Sequence, residues 1–285
     1  MKQVIALDIG GSKSRIALVE NGAITWRAEA ETPRADGPQA MLERMVALFE
    51  PVRERNELND APLGVAITGQ IADGCVTAHN AAVLPGWDRY PLRRELAGAL
   101  GRSVVLVNDA RAAAWGEYLH GAGRGFSEFL FLTVSTGVGA GLVLNGRLHL
   151  AKNGFDAEIG EMAMSDGAPL EDHASGTALG RYAAQFGYAD AKALCDAADA
   201  GDGQAESVYL HGIREIARKL ADLAVMLGIE RVALGGSVGL RPGYLERLRR
   251  EMLGYRAIHH YDLARAELGA DAGLIGAAAL AAVQP

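Results

Sequence analysis

Cysteine is scarce: Cys75 and Cys195 are the only two in 285 residues. Their wide separation excludes a disulfide framework and any Cys-rich zinc site, and fits a reducing cytosol. No apolar run is long enough to span a bilayer. A signal-peptide pattern is also missing, because Asp8 interrupts the only early apolar run. Positive charge is not in excess either. The net charge is −7, whereas a dedicated nucleic-acid binder shows a basic domain or stripe. Arginines do cluster at Arg89, Arg93 and Arg94, and again at Arg247, Arg249 and Arg250. Acids break each cluster, and the spacing is that of a solvated helix face. No His/Cys/Asp set has metal-ligand spacing, and no Ser-His-Asp order suggests an acyl-transfer triad. The expectation is a cytoplasmic protein with no membrane and no nucleic-acid partner.

What the chain does have is small and aliphatic. Hydrophobic residues make up 49%, aromatics only 6%, and glycines number 36. That composition suits an α/β protein with helices packed closely on a sheet, in one large or two moderate domains. Periodicity then orders the elements. Residues 3–8 read as a buried strand ending on Asp8, and 15–20 and 23–30 as two more. Between the last two, Asn21-Gly22 signals a type I′ hairpin, whose central positions both need positive φ. This opening is an antiparallel meander. It is followed by a helix over 39–58, a strand at 63–68, a short strand after Asp73-Gly74, a helix over 91–100, a strand at 103–107 and a helix from Ala110. The second half begins again in the same way. A strand at 128–135, the glycine turn 136–139, a strand at 140–144, Asn145-Gly146 and a strand at 147–150 repeat the meander. Helices near 173–186, 189–200 and 205–227, a strand at 231–234, a helix over 243–253, a strand near 257–261 and a helix over 271–282 complete the chain. The repeat predicts two duplicated α/β lobes with a ligand cleft between them, residues 1–108 with about 270–285 forming one and 109–269 the other.

Turns and carboxylates carry the chemistry. Gly10-Gly11-Ser12-Lys13 suggests a phosphate cradle of backbone N–H groups. It does not fit the Walker spacing, and two glycines in a hairpin are commonly just a hairpin. Thr136-Gly137-Val138-Gly139 is more specific, since glycines alternating between two strands weaken the sheet and go with close approach of a ligand or another backbone. Gly235-Gly236 ends a strand where a nucleotide base or ribose could lie on bare backbone. Asp8 could hold a Mg²⁺-bound water or simply form an Asx turn. Asn108-Asp109 stands at a strand-to-helix switch. It is either a helix cap or a cap that also presents Asp109 as a general base. Glu158, Glu161 and Glu171-Asp172 crowd one polar region, with solvated surface the competing reading for Glu161 and Asp172. His173, His211, His259 and His260 read as surface or packing residues.

Asp8-Ile-Gly-Gly-Ser-Lys13, Asn108-Asp-Ala-Arg-Ala-Ala-Ala-Trp-Gly-Glu117, Thr133-Val-Ser-Thr-Gly-Val-Gly-Ala-Gly141, Glu158-Ile-Gly160, Leu170-Glu-Asp-His-Ala-Ser-Gly176, Ala233-Leu-Gly-Gly-Ser-Val-Gly239 and Asp271-Ala-Gly-Leu-Ile-Gly276 together resemble the ROK family of sugar kinases. The match is collinear over nearly the whole chain. It implies the actin-like ATPase (ribonuclease H-like) fold and ATP with Mg²⁺ as cofactors. The details Ala112-Ala-Ala-Trp115, Thr133-Val-Ser-Thr-Gly137 and Gly235-Gly-Ser-Val-Gly-Leu240 are most similar to members that phosphorylate N-acetyl-D-mannosamine at its 6-hydroxyl, in sialic-acid catabolism. The resemblance makes Asp109 the base that deprotonates the hydroxyl and gives Asn108 a neighbouring one. Glu158 and Glu171 would hold hydroxyls near the anomeric end, with Gly69, Gln70 and Asn80 as further sugar contacts. Asp8, Gly10, Gly11, Ser12, Lys13, Thr136, Gly137 and Gly139 would surround the phosphates and Mg²⁺, with Asp8 acting through water, and Gly235 and Gly236 would receive the adenosine. Members of the family are commonly homodimers.

The sequence also departs from the pattern. Most members have a His at the position of Glu161, followed by a cysteine segment that binds structural zinc. Here residues 162–170 contain no cysteine, so no zinc is expected, and Glu161 is expected to accept a hydrogen bond from the sugar in the histidine's place. Val83 replaces an Asn that many relatives place beside the sugar. Two alternatives follow: the same reaction on another hexose such as glucose or N-acetylglucosamine, or a non-catalytic sugar-binding or regulatory protein. Regulatory members carry a helix-turn-helix segment first, for which a chain that enters a strand so soon after Met1 is expected to have no room.

Overall fold

The computed structural model describes residues 3–55, 58–78 and 84–283, without the side chain of Arg34. The chain divides into two compact units, Met1–Gly121 with Leu150–Asp156 and Ala270–Pro285, and Ala122–His149 with Ala157–Gly269.

The first unit holds β1 (Val4–Ile9), β2 (Lys13–Glu20), β3 (Ala23–Glu31), α1 (Gly37–Arg53), β4 (Leu63–Ile67), β5 (Gln70–Ala72), β6 (Cys75–Thr77), α2 (Leu92–Leu100), β7 (Val104–Asn108) and α3 (Asp109–His120). Its sheet runs β3-β2-β1-β4-β7. The meander is antiparallel, whereas β1, β4 and β7 are parallel. Alternation assigns the two faces. Ile5, Leu7 and Ile9 join Leu63, Val65 and Ile67 in a core with Met41, Met45 and Phe49 of α1 and Leu92 and Leu96 of α2. The other face is made of small residues because a helix lies directly on it. A Cβ on Gly64 would sit 2.1 Å from the Ala277 carbonyl oxygen, and one on Gly276 would sit 1.7 Å from that of Ala112. The alanine and glycine richness of α3 and of the C-terminal helix therefore reflects backbone-to-backbone packing as much as helix propensity.

The second unit repeats the plan with β8 (Phe129–Val134), β9 (Val138–Leu144), β10 (Arg147–Leu148), α4 (Glu171–Ala174), α5 (Gly176–Gln185), α6 (Ala191–Asp199), α7 (Gly203–Leu227), β11 (Arg231–Gly235), α8 (Tyr244–Met252) and β12 (Asp262–Arg265). The last helix, α9 (Ala272–Val283), returns to the first unit. The second sheet runs β10-β9-β8-β11-β12, again antiparallel through its meander and parallel beyond it. Both Asn-Gly turns have the predicted backbone, with φ of 53° and 78° at Asn21 and Gly22 and 52° and 70° at Asn145 and Gly146. The duplication read from the sequence is thus a duplication of sheet topology.

Three elements differ from expectation. Helix α1 stops at Arg53 instead of 58, shortly after Pro51, which supplies no amide hydrogen to the ladder. The helix expected over 173–186 is two, broken at Ser175, whose backbone is extended and whose hydroxyl caps α5 by accepting from the Ala178 N–H at 3.1 Å. The strand expected near 257–261 is a 3₁₀ turn at Ala257–His259, and the last strand lies later, at β12. The imidazoles of His259 and His260 bond the carbonyls of Ala221, Met252 and Tyr255, which coils the segment.

Candidate functional site

In the first unit, parallel strands place chemistry at one edge. Ile9, Ile67 and Asn108 lie in register across β1, β4 and β7. Asp8 and Asn108-Asp109 are thus set at the carboxyl ends of strands roughly 10 Å apart, where α/β sheets bind ligands. Asn108 is the N-cap of α3. Its Oδ1 accepts from the N–H groups of Ala110 (3.0 Å) and Arg111 (3.4 Å), and its Nδ2 donates to the Gly69 carbonyl (3.1 Å). Among the described residues, the second amide N–H of Asn108 has no partner.

Asp109 occupies the first turn of α3 and accepts from the Ala110 N–H at 2.8 Å. Burial pushes its carboxyl up to about 6, and the nearby charge of Asp8 adds to this, against the Ala110 N–H and the Arg111 cation. Asp8 is raised as well, by burial first, with Arg15 opposing and Asp271 assisting. Arg15 faces Asp8 across the β1–β2 pairing and forms an ion pair with it. In the 10–13 turn the Gly10 N–H donates to the Lys13 carbonyl at 3.0 Å, and the Gly10 carbonyl accepts from the Thr32 hydroxyl at 2.8 Å. Gly11, Ser12 and Lys13 are exposed.

Sequence reasoning missed Arg111 and Asp156. Their side chains are 2% and 7% exposed, and they join at 2.7 Å from Nε to Oδ1. Arg111 Nη1 also donates to Asn108 Oδ1 at 3.0 Å, and Asp156 Oδ2 accepts from the Ala151 N–H at 2.8 Å. A cavity of about 210 Å³ beside this network is lined by Ile71, Asp73, Asn108, Arg111, Lys152 and Asp156 among others. Nothing local in the alanine run marks Arg111 as buried, and charge is rarely fully buried without a partner. Gly69 and Gln70 have structural explanations. Gly69 has φ of +111°, with a Cβ position 2.9 Å from the Thr77 carbonyl oxygen, and Gln70 Nε2 donates to the Asn153 carbonyl at 2.5 Å. Asn80 and Val83 lie outside the described residues.

In the second unit the glycine turn is built around a carboxylate. Glu171 opens α4, and its Oε2 accepts from the Val138 N–H at 2.8 Å. A Cβ on Gly137 would stand 2.4 Å from that same oxygen, and one on Gly160 would stand 2.3 Å from the Val138 carbonyl oxygen. The Thr136 carbonyl accepts from the Thr177 hydroxyl at 2.8 Å, which ties the turn to the start of α5. Gly139 continues into β9 opposite Thr133. Burial raises the Glu171 carboxyl, against the Val138 N–H, and the charges of Glu161, Asp172 and Glu158 raise it further. The structure therefore brings together the carboxylates that the sequence grouped, with Glu161 exposed. Gly235 and Gly236 also have a packing reason. Their Cβ positions lie 2.8 Å from the Phe131 ring and 2.3 Å from the Val134 carbonyl oxygen, and Gly236 has φ of +85°.

Among the described residues, no group of three or more His, Cys, Asp or Glu could hold a metal ion. The electrostatically coupled pair Asp8 and Asp109 nonetheless suits Mg²⁺, which binds through one or two carboxylates and completes its shell with water and substrate phosphate. No helix among the described residues is long and apolar enough to cross a membrane.

The bifunctional enzyme NanE/NanK of Brucella melitensis is 37% identical over 98% of this chain, which spans about half (54%) of that protein's length. The N-acetylmannosamine kinase of Salmonella typhimurium is 36% identical over 97% of each chain. The crystal structure of a ROK family glucokinase from Streptomyces griseus, in complex with glucose and AMPPNP, superposes with a TM-score of 0.83 at 28% identity, covering 99% of this chain and 100% of that one. The ROK family pattern itself matches residues 4–284, and the chain belongs to that family, with its actin-like ATPase fold.

Proposed function

We propose that this chain is an ATP-dependent sugar kinase that phosphorylates the 6-hydroxyl of N-acetyl-D-mannosamine. The observation that carries the reading is Asp109, a carboxyl at the carboxyl edge of a parallel sheet, raised to about 6 by burial and by Asp8. A general base works best with a pKa near the operating pH. In this mechanism Asp109 accepts the proton of the attacking hydroxyl, and the remaining N–H of Asn108 orients the sugar. Glu158, Glu171 and Glu161 accept hydrogen bonds from its other hydroxyls or its amide, assisted by Gly69, Gln70 and Asn80. The turns at 10–13 and 136–139 and the backbone of Gly235 and Gly236 take the nucleotide. Mg²⁺, held through water by Asp8, would neutralise phosphate charge. Phosphoryl transfer depends mainly on positioning and charge neutralisation, so this machinery suffices.

The similarity to the N-acetylmannosamine kinase of Salmonella typhimurium supports the substrate; a cytoplasmic place in sialic-acid catabolism and a homodimer complete the proposal. The similarity to a glucokinase crystallised with glucose, together with Glu161 at the family's histidine position, supports a second reading, the same transfer to glucose. ADP release with Mg-ATP separates them on a panel of N-acetylmannosamine, N-acetylglucosamine, mannose and glucose, with and without a zinc chelator. The expected result is a kcat/KM highest for N-acetylmannosamine and indifferent to chelator. A preference for glucose would overturn the substrate, and no turnover with any sugar would overturn the kinase reading.

A further inference from the structure

The sequence pattern assigns Lys13 to the ATP phosphates, but the cation nearest Asp8 is a different one. Lys13 is 62% exposed, and its ammonium is held by Glu29 of β3 at 2.5 Å. Arg15 lies two residues further along β2 and so on the same face of the strand. Its side chain is only 19% exposed and is directed to Asp8, its cross-strand partner. Its Nη1 stands 3.8 Å from Asp271 Oδ1, just before α9, an oxygen already taken by Arg27 Nη1 at 3.0 Å. Among the described residues, Nε and Nη1 of Arg15 donate no hydrogen bond. A half-committed guanidinium thus sits beside Asp8, which in turn is coupled to Asp109 and Asp271.

Building on the kinase reading above, we infer that Arg15, not Lys13, is the residue whose positive charge receives the terminal phosphates of the nucleotide. A polyphosphate arriving beside Asp8 and Asp109 meets carboxylates, and an arginine held among them offsets that repulsion. Its planar fork matches phosphate oxygens, which an ammonium does not. The ion pair with Asp8 fixes the guanidinium before the ligand arrives and leaves two nitrogens to donate. Asp271 keeps the same group aligned with the N-terminus of α9.

The test compares Arg15→Gln, Arg15→Lys and Lys13→Gln in two measurements. One is the dissociation constant of N-methylanthraniloyl-ADP with Mg²⁺, read by fluorescence. The other is steady-state kinetics in ATP and in sugar. Arg15→Gln is expected to weaken the fluorescent nucleotide about tenfold and to lower kcat on the order of 10³-fold, within the range known for arginines at a transferring phosphoryl group. KM for sugar should stay within about threefold, an effect of about 0.6 kcal/mol. Lys13→Gln should lower nucleotide affinity and kcat by less than Arg15→Gln does. A larger loss in Lys13→Gln than in Arg15→Gln would overturn the inference, as would equal damage to nucleotide and sugar binding. If Arg15→Gln does not fold, Arg15→Lys decides. It should still bind the fluorescent nucleotide but lose about tenfold in kcat/KM for ATP, and an unchanged value refutes the role. Wild-type inactivity on all sugars would remove the kinase reading. Equal nucleotide affinity of wild type and Arg15→Gln would remove Arg15 alone.

Discussion

Replacing Asp156 with alanine removes the acceptor of a buried hydrogen bond from Arg111 Nε at 2.7 Å and of a partly buried one from the Ala151 N–H at 2.8 Å. It leaves a guanidinium, 2% exposed, without the carboxylate of Asp156. Breaking one side of a buried pair costs about 3–5 kcal/mol, because the surviving charge stays desolvated. For a chain of this size that corresponds to a drop in Tm of roughly 6–20 °C. Arg111 also donates to Asn108 Oδ1, and Asn108 caps the helix that presents Asp109. A misplacement of about 1 Å at a reacting group costs on the order of 10² in rate, so kcat should fall along with stability. Thermal melts followed by circular dichroism, with kcat measured well below Tm, read both effects. The double variant Arg111→Met with Asp156→Leu supplies the decisive comparison. Removing both charges should return most of the lost stability while kcat stays low, because the brace on Asn108 is gone. A loss under about 1 kcal/mol in Asp156→Ala would show that the pair is not holding the switch. A double variant as unstable as the two single losses added together would refute the desolvation argument.

Asp109→Asn should lower kcat by about 10²–10⁴-fold with KM for sugar nearly unchanged, and an ordinary kcat would remove Asp109 as the base. In the wild type kcat/KM should fall as pH drops through about 6, where Asp109 takes up its proton, and a profile flat to pH 5 would contradict that assignment. The stability sign is the reverse. Between 3.8 and about 6 the folded state binds more protons than the unfolded one, so this group's contribution is lost as pH rises. Asp109→Asn should therefore melt higher than wild type at pH 7.5, by a margin that shrinks as pH falls toward 4. Gly137→Ala would place a methyl 2.4 Å from Glu171 Oε2. Its expected cost is about 1–3 kcal/mol of strain and a weaker sugar dissociation constant by calorimetry, and unaltered binding would separate Glu171 from the sugar.

Topology was legible in the sequence because each signal was local. Asn21-Gly22 and Asn145-Gly146 specify their turns through backbone sterics alone, and the short apolar runs at 3–8 and 128–135 mark strands without reference to anything distant. The misreadings share a different cause. The break at Ser175 and the coil at 257–260 depend on caps and carbonyl contacts with α7 and α8, which periodicity does not register. The roles of the glycines divide in the same way. Gly137 is required by a carboxylate that lies 34 positions away in sequence, and Gly235 by the ring of Phe131 on the neighbouring strand. A glycine-rich motif therefore states that something approaches the backbone, without saying whether it is a ligand or the protein itself. The charged residues make the strongest case. Lys13 is conspicuous because it ends a glycine turn, and Arg15 is not, being one basic residue inside a strand. Only the pairing of β1 with β2 in register reveals that Arg15, not Lys13, faces Asp8. Arg111 is hidden similarly, in a run of alanines, until segment 150–156 brings Asp156 to it. Sequence therefore located the carboxylates proposed to act, whereas the cations beside them emerge only from strand register and chain crossing. Substitutions at Arg15 and Asp156 consequently test the structure more severely than substitutions at the motif residues.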